Sequence, residues 1–103
     1  MRLVQFDVVR NSAPSRRFAP YIVILQSHWL EPLQTVVVAP LVNDASRVLG
    51  HPDIPVDFEG ETFVLAVSEL AAVQRRLLRE RVGSLYDLED QIRRALDRLF
   101  TGF

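Results

Sequence analysis

The sequence predicts a mainly β (α+β) domain, a small barrel-like sheet of short antiparallel strands followed by one C-terminal helix. Three observations carry this expectation. Short β-branched runs alternate with turn-forming stretches along most of the chain. A Glu59-Gly60 pair divides one such run in the manner of a tight hairpin. From Ser84 onward the apolar period becomes that of a helix.

Taken in order, Arg2–Arg10 alternates, with Val4, Phe6 and Val8 on one face and Leu3, Gln5 and Asp7 on the other, as in a half-buried strand. Asn11–Pro20 carries two Pro and polar turn formers and reads as a loop. Tyr21–Ser27 is a second strand; after Pro32, Thr35–Val38 begins a third that runs into Pro40. Asn43–Pro55 is turn-rich and reads as a long loop, and Val56–Ala66 forms the hairpin. Ser68–Val82 is ambiguous. Its Ala, Leu, Arg and Glu content favours a helix, yet Val73, Arg75, Leu77 and Arg79 alternate with Gln74, Arg76, Leu78 and Glu80 as in a strand.

The terminal helix is the clearest element. Ser84 is a good N-cap with Asp87 three residues later, and Leu85, Leu88, Ile92, Leu96 and Leu99 recur along one helical face. Asp87, Glu89 and Asp90 lie at the positive end of the helix dipole, and Arg94 and Arg98 toward the negative end. Glu89–Arg93 and Asp90–Arg94 are favourable pairs one turn apart, and Gly102 suits a left-handed C-cap.

The 103 residues fit one domain spanning 1–103, and 49% hydrophobic residues can fill a modest core. Cysteine is absent, which removes thiolate chemistry and disulfides. MRLVQFDVVR lacks the apolar run of a signal peptide, and the longest apolar stretch, Val36–Val42, is far too short to span a bilayer. A cytoplasmic protein with no membrane association is expected. With a net charge of −1 there is no global attraction to phosphate. All 12 basic residues are Arg, a side chain suited to protein interfaces and equally a mark of a GC-rich coding sequence.

Residues with catalytic or metal chemistry form no pattern. His28 and His51 are not at metal-ligand spacing, the glycines are isolated, and no nucleophile elbow accompanies the Ser, His and Asp residues. No enzyme activity, cofactor or metal is expected. The C-terminus stands out instead, because Phe100 and Phe103 put aromatics where a chain normally frays. Phe100 continues the apolar side of the helix and reads as core. Phe103, beyond Gly102, has either an intramolecular or an intermolecular contact.

The tail Ile92-x-x-Ala95-Leu96-x-x-Leu99-Phe100-Thr101-Gly102-Phe103 resembles the end of CcdB toxins, where an apolar helix runs into Phe-Trp-Gly-Ile. Gln5-Phe6, Gln26-Ser27, Val38-Ala39-Pro40-Leu41 and Leu70-Ala71-x-Val73 resemble family motifs in the same order, and from Leu70 to Phe103 the patterns align without a gap. The resemblance implies an SH3-like barrel of antiparallel strands with a smaller sheet and a C-terminal α-helix, forming a homodimer. It makes Val73–Arg79 a strand, against its composition.

The resemblance further implies a plasmid-maintenance type of role: a toxin of a type II toxin–antitoxin module that binds the A subunit of DNA gyrase. Such toxins trap the cleaved gyrase–DNA complex, touch DNA only indirectly, and are neutralised by a CcdA-like antitoxin. The gyrase-contacting tail positions are here Thr101, Gly102 and Phe103, with Glu89 matching a carboxylate of the gyrase-facing helix surface. Trp29 and Leu30 replace an apolar pair on that side, with ordinary core or dimer packing as the other reading for Trp29. Antitoxin-binding loops follow the first and third strands, here Arg10–Phe18 and roughly Asn43–Pro55, and carry Arg10, Arg16, Arg17 and Arg47, with plain solvated loops as the other reading. Thr101 stands where the family has Trp, a residue type that dominates interfaces, so a non-toxic or retargeted homologue serving as a binding module is the alternative. An endoribonuclease toxin on a similar barrel is a further one; the net charge of −1 and the lack of an acid–base motif count against it.

Overall fold

The computed structural model describes residues 2–27, 34–43 and 53–102. Among these, seven strands and one helix follow in the order β1 Asp7–Arg10, β2 Tyr21–Ile24, β3 Thr35–Val42, β4 Ile54–Phe58, β5 Glu61–Leu65, β6 Ala71–Gln74, β7 Arg81–Ser84 and α1 Glu89–Thr101. Six strands run in the spatial order β4-β5-β3-β2-β1-β7, every pair antiparallel, and β6 joins as an extra strand on β3. This half-barrel with one C-terminal helix is the expected SH3-like architecture.

Strand β3 explains its own unbroken apolar sequence. Val37, Ala39 and Leu41 face a main core with Val8, Val23, Phe63, Leu65 and Ile92. Val36 and Val38 face a second cluster with Val9, Ile24 and Leu78. A strand covered on both faces has no polar face to show. Pro40 sits where one edge of β3 changes partner, from β6 (Val38 opposite Ala71) to β5 (Leu41 opposite Leu65). The Pro40 carbonyl accepts the Ala66 N–H at 3.0 Å, so its missing N–H falls on that same edge, at the gap between partners.

The first strand is shorter than its alternation suggests. Residues 2–6 are outside it, Phe6 takes a left-handed φ of 72°, and Asp7, Val8 and Val9 are all buried. The cause is a turn closed by Asp7, whose Oδ2 accepts the Val4 N–H at 2.8 Å while its own N–H donates to the Val4 carbonyl at 3.1 Å. Phe6 then ties two elements together, donating its N–H to Ile24 and accepting from Leu85 at 2.8 Å. On the other side of Asp7, Arg81 Nε stands 3.0 Å from Oδ1, an ion pair outside hydrogen-bond geometry that links β1 to β7.

The ambiguous stretch is neither one helix nor one strand. It contains β6, a 3₁₀ turn at Arg75–Leu77 and β7, so the strand expected over Val73–Arg79 lies earlier and is cut short. Pairing with β3 decides this: Val36, Val37 and Val38 offer a free edge to Val73, Ala72 and Ala71, an outcome local propensity cannot foresee. Residues 54 and 55, read as loop, belong to β4. Pro55 faces Val64 at a position whose backbone groups point to the free edge of β4, so it blunts that edge instead of costing a ladder bond.

The hairpin forms at Glu59-Gly60, both with left-handed φ (54° and 80°), the signature of a type I′ turn. Helix α1 begins at Glu89, after a 3₁₀ turn at Tyr86–Leu88, and Ser84 Oγ accepts the Tyr86 N–H at 3.1 Å, capping that turn instead of the α-helix. The apolar stripe holds: Leu85, Ile92 and Ala95 are in the main core, with Leu88, Leu96 and Leu99 packed against it. Gly102 caps the helix at φ 79°, donating its N–H to the Arg98 carbonyl at 3.0 Å.

The ends of the six-strand order meet at one contact. The Phe58 ring on β4 lies over Gly83 on β7, where a Cβ would come within 2.7 Å of Phe58 Cε1. Tyr21 packs edge-on to both Phe58 and Phe63, at 5.1 and 5.6 Å between centroids. Gly83→Ala is therefore expected to lower stability by about 1–3 kcal/mol in urea unfolding, and Phe58→Leu in the same chain to recover part of the loss. Equal losses with and without the Phe58 change would show that this contact is not the cause. Glu59→Asn is expected to raise stability by about 0.5–1 kcal/mol, because Asn tolerates the left-handed region better than Glu; a lower thermal midpoint would contradict it.

Candidate functional site

Two surfaces collect the sequence-predicted contact residues. The first is a flank of α1. Glu89, Arg93 and Phe100 are spaced by four and seven residues and so share one helix face. The Glu89 carboxylate accepts from Arg93 Nη2 at 2.9 Å and from Nε at 3.3 Å. The same guanidinium lies 5.9 Å from the Phe6 ring centroid, and Phe6 in turn meets Tyr86 at 6.4 Å. An exposed pair of this kind contributes about 0.3–0.5 kcal/mol to the helix, so its greater effect is to hold Glu89 in one position.

Phe100 is a correction to the sequence reading. It is 70% exposed and does not continue the core, because Leu96 and Leu99 already occupy the buried side of the last turns. Tyr86, at the other end of the flank, is 64% exposed. The sequence carried a partial signal: Leu99 and Phe100 are adjacent and so point about 100° apart on a helix, which lets only one of them sit at the centre of the buried stripe. Thr101 ends the helix, with its Oγ1 donating back to the Asp97 carbonyl at 2.6 Å, and Gly102 follows, exposed. The flank thus offers two aromatic rings around a fixed ion pair, an arrangement suited to binding a protein surface.

The second surface is an apolar groove of about 350 Å³ on the opposite side of β3 from the helix. Ile22, Val38, Pro40, Val42 and Val73 form its floor, and Asn11, Ser15 and Phe18 its rim. The rim is held by the buried Asn11 side chain, whose Nδ2 donates to the Ala19 carbonyl at 2.8 Å and to Ser15 Oγ at 3.0 Å while its Oδ1 accepts the Ala13 N–H at 3.0 Å. The Asn43 N–H donates to the Phe18 carbonyl at 2.9 Å, tying the rim to the end of β3. The stretch read as a plain loop therefore contains an anchored 3₁₀ turn, Pro14–Arg17.

Arg16 and Arg17 belong to that turn. Arg16 Nη1 donates to the Ala13 carbonyl at 3.2 Å, Arg17 lies 5.9 Å from the Phe18 ring, and neither has an acidic partner among the described residues. Arg10 differs. Its Nε donates to Glu80 at 2.9 Å, its guanidinium lies 5.9 Å from the Tyr21 ring, and the Glu80 carboxylate raises its pKa above an already high value. Arg10 already has an acidic partner; among the described residues Arg16 and Arg17 do not. Phe18, 62% exposed beside them, was not singled out in the sequence; an aromatic inside a Pro, Ser and Arg loop was its only signal.

Phe103, Trp29, Leu30 and Arg47, and both His28 and His51, lie outside the described residues. Among the described residues no group of three His, Cys, Asp or Glu side chains could hold a metal ion, and no helix is long and apolar enough to cross a membrane.

No curated protein matches the chain. The family model described as CcdB protein matches residues 5–102, nearly the whole chain. A half-barrel with a capped terminal helix, matched from the first turn to the helix cap, places the chain in the CcdB family, the toxins of toxin–antitoxin modules.

Proposed function

We propose that this protein is the toxin of a type II toxin–antitoxin module, acting as a homodimer in the cytoplasm, that binds the A subunit of DNA gyrase and traps the cleaved gyrase–DNA complex. The single observation that carries the reading, once family membership is given, is the exposed Phe100 beside the fixed Glu89–Arg93 pair at the end of α1. A toxin of this kind catalyses nothing. It binds one state of its target more tightly than the others and shifts the population toward it. Glu89, Thr101, Gly102 and Phe103, with Trp29 and Leu30, are the proposed gyrase contacts, and Phe100 joins them.

Neutralisation falls to a CcdA-like antitoxin. Arg10, Arg16, Arg17 and Arg47 are its proposed contacts, with the groove floor of Ile22, Val38, Pro40, Val42 and Val73 receiving its apolar residues. An acidic segment that folds on binding is drawn to Arg16 and Arg17, which have no acidic partner among the described residues, and the groove supplies the apolar burial that offsets its ordering.

A second reading has one observation in its favour. Thr101 replaces the family Trp and turns its hydroxyl onto the Asp97 carbonyl, so the tail presents no indole to a partner. A retargeted or non-toxic homologue would share the fold and the antitoxin contacts while sparing gyrase.

The two readings separate in a cleavage assay with purified host gyrase, ATP and supercoiled plasmid. Linear DNA released by detergent and protease is expected, and intact plasmid would leave only the second reading. In the same assay Phe100→Ser is expected to raise the concentration for half-maximal cleavage about 30-fold with little change in thermal midpoint, as for a truncated hot-spot aromatic. Unaltered potency would remove Phe100 from the interface. Arg16→Glu with Arg17→Glu is expected to weaken antitoxin binding at least tenfold and to flatten its salt dependence, measured by calorimetry at two ionic strengths. An unchanged salt slope would place the antitoxin elsewhere.

A further inference from the structure

A third surface lies on the other flank of α1. Gln91, Arg94 and Arg98 share a helix face with the buried Ala95 and, with Asp53, Ile54 and Pro55 at the start of β4, line a cleft of about 440 Å³. Neither Arg94 nor Arg98 has an acidic partner among the described residues, although the helix supplies Asp90 and Asp97 nearby in sequence. Asp53 is only 8% exposed, and its Oδ1 is held by the Ser68 N–H at 3.1 Å and the Ser68 hydroxyl at 2.9 Å. Its other oxygen has no hydrogen-bond partner among the described residues. One wall thus offers two cations and an amide, and the other a fixed acceptor beside the apolar Ile54 and Pro55.

We infer that this cleft binds an extended acidic segment of a partner protein, with two carboxylates separated by one residue. Spacing selects the segment. Residues one helical turn apart have Cβ atoms about 5–6 Å apart, and alternate residues of an extended chain lie about 6.6 Å apart on one face. A Glu-x-Glu segment therefore sets one carboxylate against each of Arg94 and Arg98. Asp53 selects the extended form, because it accepts a backbone N–H that a helix would spend internally. The same carboxylate disfavours a polyphosphate or nucleic acid backbone, which brings negative charge and no N–H donor. The intervening apolar side chain has Ile54 and Pro55 to cover. This site is on the opposite flank of the helix from Phe100 and on the opposite side of β3 from the groove, so it stands whether or not gyrase is the target.

The test is NMR titration of the ¹⁵N-labelled full chain with the peptide acetyl-Gly-Glu-Val-Glu-Val-Gly-amide. Shifts are expected at the amides of residues 53–55 and 91–98 and at the Arg94 and Arg98 side-chain Nε–H signals. An Arg94→Gln, Arg98→Gln chain is expected to bind about tenfold more weakly, and Arg76→Gln, Arg79→Gln, which removes the same charge elsewhere on the surface, to bind as the parent does. Absence of shifts at millimolar peptide overturns the inference. So does equal weakening by both pairs of substitutions, which would mean unspecific charge attraction. A peptide with Gln for Glu that binds as well overturns it too, as does succinate matching the peptide at equal concentration, which would make the cleft a site for free carboxylates.

Discussion

Strand β3 has neighbours on both edges and apolar cover on both faces, and every other feature is arranged around it. One edge is shared by two partners, β6 along Thr35–Val38 and β5 along Leu41–Val42, and the change falls at the one residue with no N–H to leave unpaired. One face carries the core on which α1 docks; the other carries the second cluster and, beyond it, the apolar groove. The helix flank and the groove are therefore separated by the thickness of a packed sheet. Two partners can approach from opposite sides with a rigid layer between them, and coupling of their binding within one chain would have to pass through that layer.

The barrel closes through a smaller feature. Phe58 over Gly83 brings the ends of the strand order together, and Tyr21 buttresses Phe58 from the middle of the sheet. Arg10 rests over the Tyr21 ring, and the Asp7–Arg81 pair holds β1 to β7 where the register slips between Val8 and Val9. Phe6, in its left-handed turn, receives Leu85 at the entrance to the helix. The direction of α1 thus depends on a turn in the first residues of the chain. That dependence matters for the flank, since the Phe6 ring also lies under Arg93.

The two flanks of α1 differ in what they offer. Glu89 and Arg93 satisfy each other, so what that flank presents outward is the rings of Phe100 and Tyr86. Arg94 and Arg98 have no such partner among the described residues, and they make their flank cationic. One helix therefore supplies an aromatic surface and a cationic one on a chain whose net charge is only −1.

The sequence by itself determined what depends on near neighbours. The helical period and its stripe, the Glu59-Gly60 turn and the Gly102 cap follow from residues within a few positions of one another, and each is found where it was read. Family membership was legible because order and spacing along the chain are sequence properties. Tertiary structure decided what depends on distant partners. The residues of β6 became a strand because β3 offered them an edge, Asp7 and Val9 were buried because both sides of β1 are covered, and Ser84 capped a 3₁₀ turn because Phe6 fixes Leu85 next to it. Phe100 shows both limits: its type was read correctly as unusual for a chain end, but its exposure was settled by Leu96 and Leu99 filling the core first. Local chemistry sets turns, caps and periods over a few residues; which surfaces are left for a partner is a remainder, known only after the whole chain has packed.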